Sequence, residues 1–151
     1  MRRVAKLTKS TKRTHGPLKF LDPETSVVFL ALAWFGPRAL SIVDILDTFD
    51  YLNHATLGLD ELEHHLNALL AAGLLDVRPG NMFALAPGVH ERYQQFRTRR
   101  RKTRFADAEA FIRLHDWADP LPRRIRLSKA DLAESKPVVL PWSHKAAKQD
   151  V

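Results

Sequence analysis

Residues 59 to 78 read LDELEHHLNALLAAGLLDVR, and few short stretches restrict a fold so tightly. Leu59, Leu62, Leu66, Leu69 and Leu70 recur at the i, i+3, i+4 spacing of a helix with one buried stripe. Gly73 follows where a helix end needs a left-handed residue. LLDV, RPGN and MFALA then give strand, turn and strand, a hairpin by composition. A helix therefore runs directly into a hairpin. The first turns of this helix carry Asp60, Glu61 and Glu63, and no Lys or Arg appears before Arg78.

The elements before it follow from capping and punctuation. Asp22-Pro23-Glu24 supplies an N-cap, a proline at the first helical position and an acid in the first turn. TSVVFLALAWF is apolar on nearly every side, which predicts a helix buried all round until Gly36-Pro37 stops it. A second helix is expected from about Ala39 to Leu52, with Ile42, Ile45, Phe49 and Leu52 inward and Asp44, Asp47 and Asp50 in water. After the hairpin, VHERYQQFRTRRRKTRF reads as a basic helix. FADAEAFIRLHDWA continues or restarts it, with Phe111, Leu114 and Ala118 on one side. RIRL reads as a short strand, and SKADLAE as a helical turn capped by Ser128.

Charge divides the chain. Residues 1–19 hold seven Lys or Arg and no acid, residues 20–96 three basic and ten acidic, and residues 97–151 fourteen basic and seven acidic. An acidic centre with two basic ends suits arms that contact a polyanion. No apolar run approaches the ~20 residues that span a bilayer, so no membrane role is expected. MRRVAKLTKSTKRTHG lacks the apolar core of a secretory signal, and cysteine is absent, which removes disulfides and thiolate chemistry. The expected compartment is the cytoplasm.

The order helix, helix, helix, hairpin resembles the winged helix-turn-helix superfamily. The residues carrying the likeness are L62-x3-L66-x2-L69-x3-G73-L74-L75, the turn Pro79-Gly80-Asn81, and F83-A84-L85-A86-P87-G88. D50-Y51-L52-N53-H54-A55 followed by D60-E61-L62 is similar to an uncharacterised bacterial branch of it. The resemblance covers about residues 22–90. It implies a mainly α fold with a small β-hairpin, and DNA binding linked to transcription regulation. The division of the chain is then a basic arm at 1–21, the winged-helix domain at 22–90, a basic then amphipathic helix at 91–119, and a basic, proline-punctuated tail at 120–151.

Site expectations follow from charge. With its leucines buried, the third helix turns Asp60, Glu61, Glu63, His64, Asn67, Ala68 and Ala71 outward. Asn67, with His64, is the candidate base reader there, since amides pair with adenine. Carboxylates against a phosphate wall repel it, and duplex DNA carries one charge per ~1.7 Å. Phosphate contact is therefore assigned to Arg97, Arg99, Arg100, Arg101, Lys102 and Arg104, interleaved with Tyr93, Phe96 and Phe105. Arg78 on the wing and Arg2, Arg3, Lys12 and Arg13 of the arm join them. The alternative is a protein-interaction module. It would dock through Asp60, Glu61, Glu63 and His64, with the arms taking an acidic protein partner. Phe111, Leu114 and Trp117 are candidates for a homodimer through the helix after the wing. A third use of the same charges is internal docking of the basic ends on the acidic face, which needs apolar help because exposed ion pairs contribute only ~0–1 kcal/mol. No catalytic residues, metal or cofactor are expected. The chain has no HExxH, no GxSxG and no glycine-rich phosphate loop, and Asp60 with His64 begins a metal site without completing one.

Overall fold

The computed structural model describes residues 22–100, 102–115 and 124–139. The 1–21 arm with Arg2, Arg3, Lys12 and Arg13, together with Arg101, Trp117, Ala118 and the tail from Leu140, lies outside the described residues. Helix α1 (Pro23–Trp34) is followed by α2 (Ile42–Asn53), α3 (Leu59–Ala71), strands β1 (Leu75–Arg78) and β2 (Met82–Leu85), α4 (Val89–Arg100), α5 (Arg104–Ile112) and the short α6 (Lys129–Glu134). Among the described residues the fold is mainly helical with one two-stranded antiparallel hairpin.

Local chemistry sets most of these boundaries. The Asp22 carboxylate accepts the Glu24 N–H at 2.9 Å and Pro23 opens α1. Ser41 and Asp44 form a reciprocal capping box at the start of α2, which is the reason this helix begins at Ile42 and not at Ala39. The Glu61 carboxylate accepts the Gly58 N–H at 2.8 Å and closes the first turn of α3. Gly73 stands at φ 78°, the left-handed residue the sequence requires beyond that helix. In the hairpin Leu75 faces Leu85 and Arg78 faces Met82, and the turn places Asn81 at φ 56°, a conformation asparagine tolerates better than most residues. Leu40 adds one further rung, exchanging N–H···O bonds of 2.7 and 2.8 Å with Phe83. The chain between α1 and α2 is thereby tied to the hairpin.

Helix α1 is the axis of the molecule. Its residues from Thr25 to Ala33 are all buried, as an all-apolar helix must be, against α2, α3, α5 and β2. The basic stretch after the hairpin restarts rather than continues. Helix α4 ends at Arg100, and Thr103 caps α5 by accepting the Ala106 N–H at 3.2 Å. Helix α5 then folds back on α1, and Phe29, Tyr93 and Phe111 meet at ring separations of 5.1 to 5.6 Å. Phe111 is buried in this cluster while Leu114 is 68% exposed, so the two do not share the one side that their spacing suggests. One apolar core takes in α1 to α3, the hairpin, Tyr93, Phe111, Ile112, Ile125, Leu127 and Val139.

Tyr93 gives a solution signature of this packing. Burial pushes its phenol up to about 12, and its hydroxyl donates to the Arg104 carbonyl at 3.4 Å. A raised folded value favours the neutral form. The associated stability is complete below the unfolded value of ~10 and is lost as pH rises from there toward 12. Alkaline titration of tyrosinate absorbance should show a phase near pH 12 that Tyr93→Phe removes. Unfolding free energy should fall by roughly 2–3 kcal/mol across that interval in the parent and not in the variant.

Candidate nucleic-acid interface

The face of α3 around Glu63 and Asn67 is covered by residues 124–127. Asn67 is 2% exposed, and its side-chain amide works as a clamp on the backbone beside it. Its Oδ1 accepts the N–H groups of Ile125 at 2.9 Å and Arg124 at 3.1 Å, and its Nδ2 donates to the Ile125 carbonyl at 2.9 Å and to the Glu63 carbonyl one turn back at 2.9 Å. The Glu63 carboxylate accepts the Leu127 N–H at 2.8 Å. Residues 124–128 are extended but form no strand: their partners are side chains of a helix, not a neighbouring strand. Ile125 and Leu127 point into the core, while Arg124 and Arg126 are exposed.

The same segment then reaches α2. Ser128 and Asp131 form a capping box for α6, and Ser128 holds the Asp131 carboxyl below its usual range, helped by the Asn81 side chain from the hairpin turn. The Ser135 hydroxyl accepts the Val43 N–H at 3.0 Å. Asp44 is buried, not in water as its spacing suggests. Its carboxylate accepts the Ser41 N–H at 3.0 Å and the Val138 N–H at 3.0 and 3.1 Å. The basic C-terminal part therefore docks in cis on the acidic centre. The apolar help comes from Ile125, Leu127 and Val139, which join the core.

These contacts correct the reading of α3. Helical spacing puts Asn67 on the outward face, and the fold instead encloses it, with no amide donor or acceptor turned to solvent for an adenine edge. Glu63 is half-buried against the same segment. Asp60, Glu61 and His64 are exposed as expected.

The basic run is divided in its duties. Asp107 is fully buried and receives Arg97 Nε at 3.2 Å and Arg100 Nε at 3.1 Å, joining α4 to α5. Arg104 lies with its guanidinium 4.8 Å from the Trp34 ring centre, and Arg100 lies 5.3 Å from that of Phe96. Burial lowers the Arg104 value, and Arg97 nearby adds to the effect. Phe105 is exposed, while Tyr93 and Phe96 pack inward. Arg99 and Lys102 remain exposed, and Arg78 is engaged with Asp76 at 3.1 Å on the hairpin surface. A helix uniformly coated with free cations is not what the fold builds. It divides the described cations among Asp107, the Trp34 ring and solvent, and Asp107, seven and ten residues downstream of Arg100 and Arg97, was the sequence signal.

A second feature lies where the N-termini of α1 and α3 converge. Asp22, Glu24, Asp60, Glu61, His64 and His65 line a cleft of about 300 Å³. His65 is buried, and its Nδ1 sits 2.8 Å from the Thr25 hydroxyl. Its Nε2 faces the Glu24 carboxylate at 3.7 Å. Burial lowers the His65 value despite the acids around it, and burial together with Asp22 and Glu61 raises that of Glu24.

No family model, no curated protein and no solved structure matches this chain. No helix among the described residues is long and apolar enough to cross a membrane.

Proposed function

We propose that this chain is a non-enzymatic, DNA-associated winged-helix protein, acting in transcription regulation, whose affinity comes from phosphate contacts of its basic flanks. The helix–rung–helix–helix–hairpin order supports the winged-helix reading. In that fold the helix before the wing ordinarily enters the major groove. Here α3 anchors the chain's own C-terminal segment instead. The observation that carries the reading is the pattern of that segment. Ile125 and Leu127 face inward while Arg124 and Arg126 face out, so the Asn67 side of α3 presents cations instead of carboxylates. Arg99 and Lys102 are exposed as well, and all four side chains can meet phosphates.

The test is binding of the full chain to random duplex DNA across a salt series. A fragment ending near residue 96 would lose Phe111, Ile112, Ile125 and Leu127 from the core, so charge reversal in the whole protein is the cleaner comparison. A steep negative dependence of log affinity on log salt is expected. The pairs Arg124→Glu/Arg126→Glu and Arg99→Glu/Lys102→Glu should each flatten the slope by about 2, one unit per lost phosphate contact. Absence of binding at low salt would sink the DNA reading. The exposed strip of Asp60, Glu61 and His64 favours the second reading, a winged-helix module that docks a protein partner, and that strip would then serve as the bait.

A further inference from the structure

We infer that the cleft between the starts of α1 and α3 is a site for a divalent transition-metal ion of the zinc class, held by His65, His64 and Asp22. One ring nitrogen from each histidine and a carboxylate oxygen of Asp22 lie within 4.8 Å of one another. Two imidazoles and a carboxylate suit zinc, nickel or cobalt better than calcium or magnesium, which favour all-oxygen sites.

His65 makes this more than a group of surface acids. Its ring is buried, and the Thr25 hydroxyl engages Nδ1 at 2.8 Å. A second partner on one nitrogen is how metal-binding histidines are commonly oriented, with the other nitrogen left as the ligand. Here Nε2 faces the cleft. Its polar neighbour there is Glu24 Oε1 at 3.7 Å, beyond hydrogen-bond reach. The ring is thus fixed by one nitrogen and open at the other.

Charge favours a cation. Asp22, Glu24, Asp60 and Glu61 bring four carboxylates to the cleft, and among the described residues no Lys or Arg lines it. Two helix N-termini oppose a cation with about +0.5 charge each, which the carboxylates outweigh. Ligand atoms around a tetrahedral zinc at ~2.0–2.1 Å lie about 3.3 Å apart. Closing from 4.8 Å asks for small side-chain adjustments of His64, which is exposed, and Asp22, which is half-exposed. Sequence spacing pairs Asp60 with His64 and stops there, because Asp22 and Thr25 arrive from the start of α1.

The experiment is titration of the full chain with cobalt(II) and zinc(II). Calorimetry would give stoichiometry and affinity, and the cobalt visible spectrum would report the ligand field. The expected result is one equivalent bound at micromolar dissociation constant or tighter, with the intense visible bands of a four-coordinate nitrogen–oxygen site. His64→Ala and Asp22→Asn should each weaken binding at least tenfold. The first changes an exposed side chain, and the second keeps an N-cap oxygen. Circular dichroism of both variants verifies that they are folded. Absence of a one-equivalent phase at about 100 μM metal, a concentration well above the expected dissociation constant, overturns the assignment. So does binding that His64→Ala leaves unchanged, since the chain has seven histidines and another of them would then be the ligand.

Discussion

Replacing Asn67 with alanine is expected to lower stability by about 2–4 kcal/mol and to release residues 124–139 from the domain. The amide makes three hydrogen bonds to Arg124 and Ile125, each of them 2.9 to 3.1 Å long. A net hydrogen bond contributes roughly 0.5–1.5 kcal/mol, and a buried group left unpaired costs about 1–3 kcal/mol. Ile125 is 5% exposed, so its N–H and C=O are unpaired in the variant unless the segment lifts to meet water. Lifting withdraws Ile125 and Leu127 from the core, at about 1.5–3 kcal/mol for each side chain fully exposed. The two costs are alternatives, and the observed loss is the smaller of them. Chemical denaturation gives the magnitude. Amide exchange at Ile125 and Leu127, with tryptic cleavage after Arg124 and Arg126, tells whether the segment has come away. Unchanged protection at both amides would mean that Asn67 is not the clamp. Asn67→Asp is the stricter control, because it keeps an acceptor for the two N–H groups while losing the donor to Ile125.

Asp107→Ala should cost about 3 kcal/mol, the lower end of the range for breaking a buried ion pair. The carboxylate has no solvent exposure, whereas the side chains of Arg97 and Arg100 are 24% and 37% exposed and can turn partly to water. What remains is a concentration of like charge, with Arg97 and Arg100 around a gap where their counter-charge stood and Arg104 close to Arg97. Salt distinguishes this from simple loss of packing. At 1 M ionic strength the screening length falls to ~3 Å, so the repulsion in the variant is relieved and part of its lost stability returns. The parent should gain nothing comparable. Urea midpoints at low and high sodium chloride give the comparison. Equal salt responses in parent and variant would rule out the electrostatic account. A second readout bears on function: Asp107→Asn frees two guanidinium groups, so affinity for duplex DNA should rise even as stability falls.

How much of the molecule is legible in its sequence depends on the reach of each interaction. Asp22-Pro23, the Leu62–Leu66–Leu69 stripe with Gly73, the hairpin turn at Gly80-Asn81 and the Ser128 cap act within a few residues, and periodicity finds them. Helical spacing places Asp44 in water, opposite Ile42 and Ile45. Its capping partner Ser41 is local, but Val138 is 94 residues away and no pattern marks it. The same logic turns Asn67 outward, and the residues that enclose it lie 58 positions later. The alternation in RIRL is a readable sign of a half-buried extended segment. Reading it as a strand supplies the right conformation and the wrong partner, since side chains of α3 satisfy its backbone. Asp107 lies within reach of the basic run, but a count of charges treats each arginine as free until a buried carboxylate is seen to claim two of them.

The 58- and 94-residue separations also set a timetable. Ribosomes add roughly 5–20 residues per second, so the partners of Asn67 and Asp44 emerge about 3–20 s after the helices that receive them. Helices α1 to α3 and the hairpin are complete in sequence by then. Through that interval the hollow meant for Ile125, Leu127 and Val139 stands bare on the nascent chain. Closure of residues 124–139 is accordingly expected after the helices have packed, and truncating Ile125 or Leu127 should speed unfolding far more than it slows folding.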